Sequence, residues 1–155
     1  MTPDNRIEAF STLGEFLKQF SGDKSKNISN DLNNRFYAEF EELVTRVHIH
    51  NAWFTESNVR NAIASLAASL DKKQLQSWIA PYRDQLNKQK KAYRVAVIMA
   101  GNIPLVGFHD FLCVLLSGNN FIGKLSSDDK FLLPYLSKIL VTIEPRFNEF
   151  IEFTE

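Results

Sequence analysis

A chain of 155 residues, 45% hydrophobic and 12% aromatic, is long enough to bury one sizeable core and is composed like a globular protein. Its 18 Lys and Arg against 18 Asp and Glu, with a sequence pI near 6.8, exclude the overall field that favours nucleic acid or an anionic membrane, and neutrality near pH 7 predicts modest solubility. The single cysteine, Cys113, excludes an internal disulfide and any cysteine-cluster metal site, which makes a reducing cytoplasm the simplest compartment.

The amino terminus carries Asp4, Arg6 and Glu8 where a signal peptide needs an apolar stretch, and the longest apolar runs, VAVIMA and FLCVLL, are far too short to cross a bilayer. From Arg6 to Phe20, Ile7, Phe10, Leu13, Leu17 and Phe20 recur at spacings of three and four, which predicts a helix with one apolar stripe. Gly22 and the polar run SGDKSKNISND should end it. A second helix is predicted from about Asn34 to His48, with Phe36, Phe40, Leu43, Val44 and Val47 on one face and Glu39, Glu41 and Glu42 on another. Thr55 is placed to cap a third, whose Val59, Ile63, Leu66 and Leu70 point one way. KKQLQSWIAPYRDQL follows as a shorter helix, stopped or kinked at Pro81. From Lys72 to Arg94 seven basic residues meet one acid, Asp84. That run reads as a solvated face and linker, with a phosphate-bearing ligand or a partner as the alternative.

The period changes at Tyr93. RVAVIMA is a short, β-branched, nearly continuous apolar run of the kind buried on both faces of a parallel sheet. VGFHDFLCVLLSG is then a helix apolar almost all round and ended by Gly118, NFIGKL a second strand, Asp129 to about Ile143 a second helix despite Pro134, and FIEFTE a third strand. Strand, helix, strand, helix, strand is the βαβαβ pattern of a nucleotide-binding half-sheet. The expected fold is α/β: a helical amino-terminal region, residues 1–92, followed by a partial cofactor-binding α/β domain, residues 93–155. A sheet that stops on its third strand leaves an edge uncovered, so the chain reads as the front part of something larger.

Ligands in open α/β sheets bind beyond the carboxyl ends of the strands, which draws attention to Gly101-Asn102-Ile103-Pro104 after the first strand. Asn102 can set a side-chain NH₂ donor beside the free backbone N–H groups of the following helix, together a site for developing negative charge. Spacing alone favours a turn residue chosen for its own backbone geometry. At the exit of the second strand, GKLSSDDK places Lys124, Ser126 and Ser127 where nucleotide-binding α/β proteins contact the adenosine ribose, or else forms a surface turn. No G-x-G-x-x-G and no Walker A loop is present. His109 and Cys113 share a helix face, but FLCVLL raises a thiol pKa, so Cys113 reads as an inert small hydrophobe and His109 as a hydrogen-bonded structural residue beside Asp110. His48 and His50 would not converge on a helix, and no metal site is expected.

VAVIMAGNIPLVGFHDFLCVLLSGNNFIGKLSSDDKFLLPYL resembles the start of the cofactor domain in the aldehyde dehydrogenase superfamily, and most closely the bacterial acyl-CoA reductases of the LuxC-like fatty acid reductase type. The resemblance runs from Arg94 to about Leu140, rests on an Asn-x-Pro turn after one strand and a Lys-x-Ser after the next, and extends to WFTESNVRNAI and the helices before it. It implies an enzyme that reduces fatty acyl thioesters, acyl-CoA or acyl-protein, to aldehydes with NADPH. By the same resemblance, Asn102 would help hold the thiohemiacetal oxyanion, Lys124 would hydrogen-bond the adenosine ribose, and Ser126 would stand beside it. Ser127 occupies a place where many NAD-preferring relatives have Glu, and a 2′-phosphate is not repelled there. The family's nucleophilic cysteine and general base would lie beyond residue 155, and Cys113 does not match the nucleophile, so the chain alone is expected to be inactive. A homo-oligomer is compatible with this reading. The rival is a non-catalytic nucleotide-binding or protein-interaction domain that kept the fold without the chemistry, pairing through FIEFTE.

Overall fold

The Thr2 hydroxyl accepts the Asn5 N–H at 3.2 Å while the Asn5 side chain accepts the Thr2 N–H, a reciprocal cap that starts α1 (Pro3–Leu17). The computed structural model describes residues 1–21, 30–89 and 91–154. Ile7, Phe10, Leu13 and Leu17 are buried as their spacing predicts, and α1 closes in a 3₁₀ turn, Lys18–Phe20. The polar run expected to end this helix lies largely outside the described residues. In α2 (Asn30–Arg46), Phe36, Phe40 and Val44 are buried and Leu43 half-buried, and Val47 follows in a 3₁₀ turn. Thr55 caps α3 (Glu56–Ser69), accepting the Asn58 N–H at 3.2 Å. The Asp71 carboxylate caps α4 (Lys72–Ile79) through the Lys73 and Gln74 N–H groups. Pro81 then imposes the expected kink, a 3₁₀ turn from Ala80 to Tyr82 that leads into α5 (Arg83–Lys88).

Three parallel strands follow, β1 (Arg94–Ile98), β2 (Asn120–Lys124) and β3 (Ile151–Thr154), in the order β1-β2-β3. They are joined by α6 (Phe108–Leu116) and α7 (Leu132–Ile143). Pro134 sits in the first turn of α7, where its missing N–H is not needed by the helix ladder. Gly118, at φ +80°, ends α6: its N–H reaches the Leu115 carbonyl and the Asn119 N–H the Val114 carbonyl, both at 3.0 Å. The expectation that RVAVIMA is buried on both faces does not hold. Val95 and Val97 turn inward, but Arg94, Ala96 and Ile98 are exposed, Ile98 at 82%. Among the described residues the helices cover only one face of this strand.

One buried cluster runs from Ile7 to Phe147 and joins the helices to the sheet. Phe10 is its hinge point, with ring centroids 6.4, 6.1 and 5.6 Å from Phe108, Phe111 and Phe147, all edge-on. Arg6 makes a second link: its guanidinium donates to the Leu116 carbonyl at 3.1 Å and to the Met1 carbonyl at 2.8 Å. It thereby sits at the negative end of α6, and burial holds its pKa below the ordinary value.

Candidate active site at the carboxyl ends of β1 and β2

The register opposes Ile98 to Lys124, and the Met99 N–H donates to the Lys124 carbonyl at 3.0 Å, so the loops after β1 and β2 leave the sheet side by side. Gly101 is where they touch. A Cβ there would run into the Ser126 hydroxyl and lie 2.8 Å from the Asp128 Cβ, so the close approach requires glycine. Beyond Asn102, the Val106 N–H closes a turn onto the Ile103 carbonyl at 3.3 Å, with Pro104 and Leu105 as its central pair. Leu105 has φ 61° and is 4% exposed. A left-handed backbone disfavours leucine by roughly 1–2 kcal/mol, and its burial in the core offsets that strain.

Two polar side chains that sequence reasoning missed hold this turn. Asn51, between α2 and α3, donates through Nδ2 to the Gly101 carbonyl at 3.1 Å and to the Asp128 carbonyl at 3.3 Å. Asp129 accepts the Leu105 N–H on Oδ2 at 3.0 Å. It is 8% exposed, its Oδ1 is buried without a hydrogen-bond partner, and burial raises its pKa to about 6 against the opposing pull of the Leu105 and Leu132 N–H groups. The sequence pattern starts this helix at Asp129, whereas α7 begins three residues later at Leu132, and nothing local marks the carboxylate as buried. Asn51 has no local signal.

Asn102 is exposed, and among the described residues its carboxamide makes no hydrogen bond within the chain. It lines a groove of about 350 Å³ with Ile103, Pro104 and the α3 face Asn58, Asn61, Ala62 and Ser65. Trp53, 80% exposed, forms its rim, and Asn58 Nδ2 fixes that rim by donating to the Trp53 carbonyl at 3.0 Å. The expected row of free helix amides beside Asn102 is shortened by the structure. α6 begins at Phe108 rather than Val106, and the Leu105, Val106 and Phe108 N–H groups already donate to Asp129, Ile103 and Leu105. The intervening turn takes these three amides, and the Asn102 side chain is a further donor on the same turn.

Lys124 stands exposed at the end of β2 and, among the described residues, has neither a hydrogen bond nor an ion pair through its ammonium. The Ser126 hydroxyl accepts the Asp128 N–H at 3.2 Å, and the Ser127 hydroxyl donates to Asp128 Oδ1 at 3.4 Å. A free ammonium with two hydroxyls beside a glycine-tight loop fits a ribose or a sugar phosphate. The Asp128 carboxylate sets a negative group against the Ser127 hydroxyl.

His109 and Cys113 lie elsewhere. His109 is exposed and stacks on Trp78 with centroids 5.9 Å apart, and its side-chain hydrogen bond is made to the thiol one turn further along α6. Its Nε2 is 3.5 Å from Cys113 Sγ. Cys113 is half-buried beside a cavity of about 250 Å³ lined by Trp78, Tyr82 and Leu86, and burial, with Asp110 second, holds its thiol above the ordinary pKa. His48 Nδ1 donates to the Thr45 carbonyl while the His50 ring packs 4.4 Å from Phe131. Among the described residues no group of three metal-ligating side chains forms, and no helix is long and apolar enough to cross a membrane.

Fold and site together define a parallel α/β protein whose polar loops converge at the carboxyl ends of adjacent strands, the place where such sheets bind their ligands. The family described as Acyl-CoA reductase (LuxC) matches residues 8–149. The chain belongs to that family of acyl-CoA-reducing oxidoreductases, and the match takes in the helices together with β1 and β2. No curated protein and no solved structure matches it.

Proposed function

We propose that these 155 residues form the amino-terminal part of an NADPH-dependent fatty acyl thioester reductase that releases aldehyde. The observation that carries this reading is the exposed, unpartnered Asn102 carboxamide, fixed over a groove by a turn anchored to the loop that bears Lys124. In this reading the helices of residues 1–92 brace one wall and residues 93–155 carry the contacts. Lys124 and Ser126 hold the adenosine ribose, and Ser127 leaves room for the 2′-phosphate. Bound NADPH supplies the hydride. The Asn102 NH₂ donates to the carbonyl oxygen as the carbon becomes tetrahedral, where the growing charge makes the bond stronger than in the ground state. The acyl-accepting cysteine is read as lying outside residues 1–155, because Cys113 faces His109 and Trp78 and does not line the Asn102 groove. The compartment is read as cytoplasmic from the lone thiol.

The rival, a non-catalytic interaction domain, draws on β3, whose outer edge has no partner among the described residues. Asn102→Ala in the complete reductase separates the two. Loss of an oxyanion donor lowers kcat about 10²- to 10³-fold with NADPH affinity little changed. A normal kcat in the folded variant overturns the role given to Asn102.

A further inference from the structure

Asn102 can act as a donor in a transition state only if its backbone is held in one place, and the turn that carries it is held on both sides. Ahead of it, the Gly101 carbonyl accepts Asn51 Nδ2, which also reaches the Asp128 carbonyl. Behind it, the Leu105 N–H donates to Asp129 Oδ2. Both straps end at residues 128 and 129, a few residues beyond Lys124. Asp129 is an expensive way to fill that space: it is a carboxylate nine-tenths buried, its Oδ1 makes no hydrogen bond of good geometry although the Leu132 N–H lies toward the carboxylate, and it forms no ion pair among the described residues. Its charged neighbours along the chain point away, Asp128 toward the Ser127 hydroxyl and Lys130 over the Phe131 ring. What the carboxylate gives and an apolar residue could not is an acceptor for the N–H of a left-handed Leu105.

We propose that Asp129 is a positioning residue of the acyl-thioester site: it ties the Asn102 turn to the Lys124 loop, so that the oxyanion donor and the cofactor contact are placed by one shared strap. Asp129 touches no substrate and acts through Leu105. The kinetic half of this inference rests on the role proposed for Asn102, and the structural half stands without it.

The structural half is measured on the 155-residue chain by amide exchange and NMR titration. Asp129→Ala should speed exchange of the Leu105 amide about tenfold, the loss of one hydrogen bond, while Asp129→Asn, which keeps an acceptor oxygen, should retain the protection. In the unmodified chain, which needs no variant to fold, the Leu105 amide proton and the Asp129 carboxyl carbon should shift with a single midpoint. Unchanged Leu105 protection in Asp129→Ala, or separate midpoints, overturns the strap. The kinetic half uses the complete reductase. Asp129→Ala should lower kcat about 10- to 100-fold with NADPH affinity nearly constant, Asp129→Asn should recover most of it, and Asp129→Ala added to Asn102→Ala should cost no further rate. Losses that multiply in the double variant overturn the positioning role, since a merely structural residue would act independently of Asn102. A normal kcat in Asn102→Ala together with faster Leu105 exchange in Asp129→Ala supports the strap and overturns the oxyanion reading instead.

Discussion

At the scale of single residues, cofactor choice turns on two neighbouring side chains. Ser127 is exposed at the end of the Lys124 loop and directs its hydroxyl to Asp128, so a carboxylate already stands one position further on. Ser127→Glu in the complete reductase would bring a second negative charge to the place proposed for the 2′-phosphate. It should weaken NADPH relative to NADH by about 1 kcal/mol or more, and Asp128→Asn should move the ratio the other way. Fluorescence titration of both nucleotides reads this directly, and equal losses for both would remove the 2′-phosphate from this position. The position of Lys124, Ser126 and Ser127 at the exit of β2 was legible in the sequence because the end of a predicted strand is a local property. Asn51 and Asp129 were not, because their partners are 50 and 24 residues away.

At the scale of elements, the turn at Ile103–Val106 departs from ordinary turn chemistry. A turn with Pro at its second position and positive φ at its third calls for glycine or asparagine there, yet Leu105 fills it with its side chain buried. Truncation should therefore invert the usual ranking. Leu105→Ala loses the core contact and keeps the strained backbone, whereas Leu105→Gly loses the contact and relieves the strain. Both should be destabilised, with the glycine variant the more stable of the two by about 1 kcal/mol, when elsewhere glycine is the worse choice by a similar amount. Denaturant midpoints for the two variants settle the order. The same turn explains why α6 starts late: its amides are already bonded within the turn and to Asp129, a competition that the continuous apolar pattern of VGFHDFLCVLL cannot reveal.

At the scale of the whole molecule, stability should carry the signature of Asp129. Folding raises its pKa from 3.8 to about 6, so the folded state disfavours its ionised form. This contribution is most favourable below about pH 4, is lost progressively as pH rises toward 6, and is gone above that, a swing of about 3 kcal/mol. Between pH 4 and 7 the other carboxylates add their own slopes, so the test is a difference. The unfolding free energy of Asp129→Asn should lose this falling component, and identical pH profiles for the two chains would contradict the burial assigned to the carboxylate.

The element types and their order could be read along the chain. Apolar residues at spacings of three and four in α1, α2 and α3, the Thr55 cap, the break at Pro81 and the three short apolar strands all act over a few residues, and the structure contains each of them. Parallel pairing followed as well, because strands separated by helical crossovers have little alternative. Only the tertiary structure decided which groups face one another. Among the described residues it left one face of β1 open, drew His109 to Trp78, spent three of the amides beside Asn102 on a turn, and buried a carboxylate from the second loop beneath the first. The physical reason is range: helix caps and periodicity are set by neighbours within one or two turns, whereas burial and hydrogen-bond partnership depend on what the folded chain brings from tens of residues away.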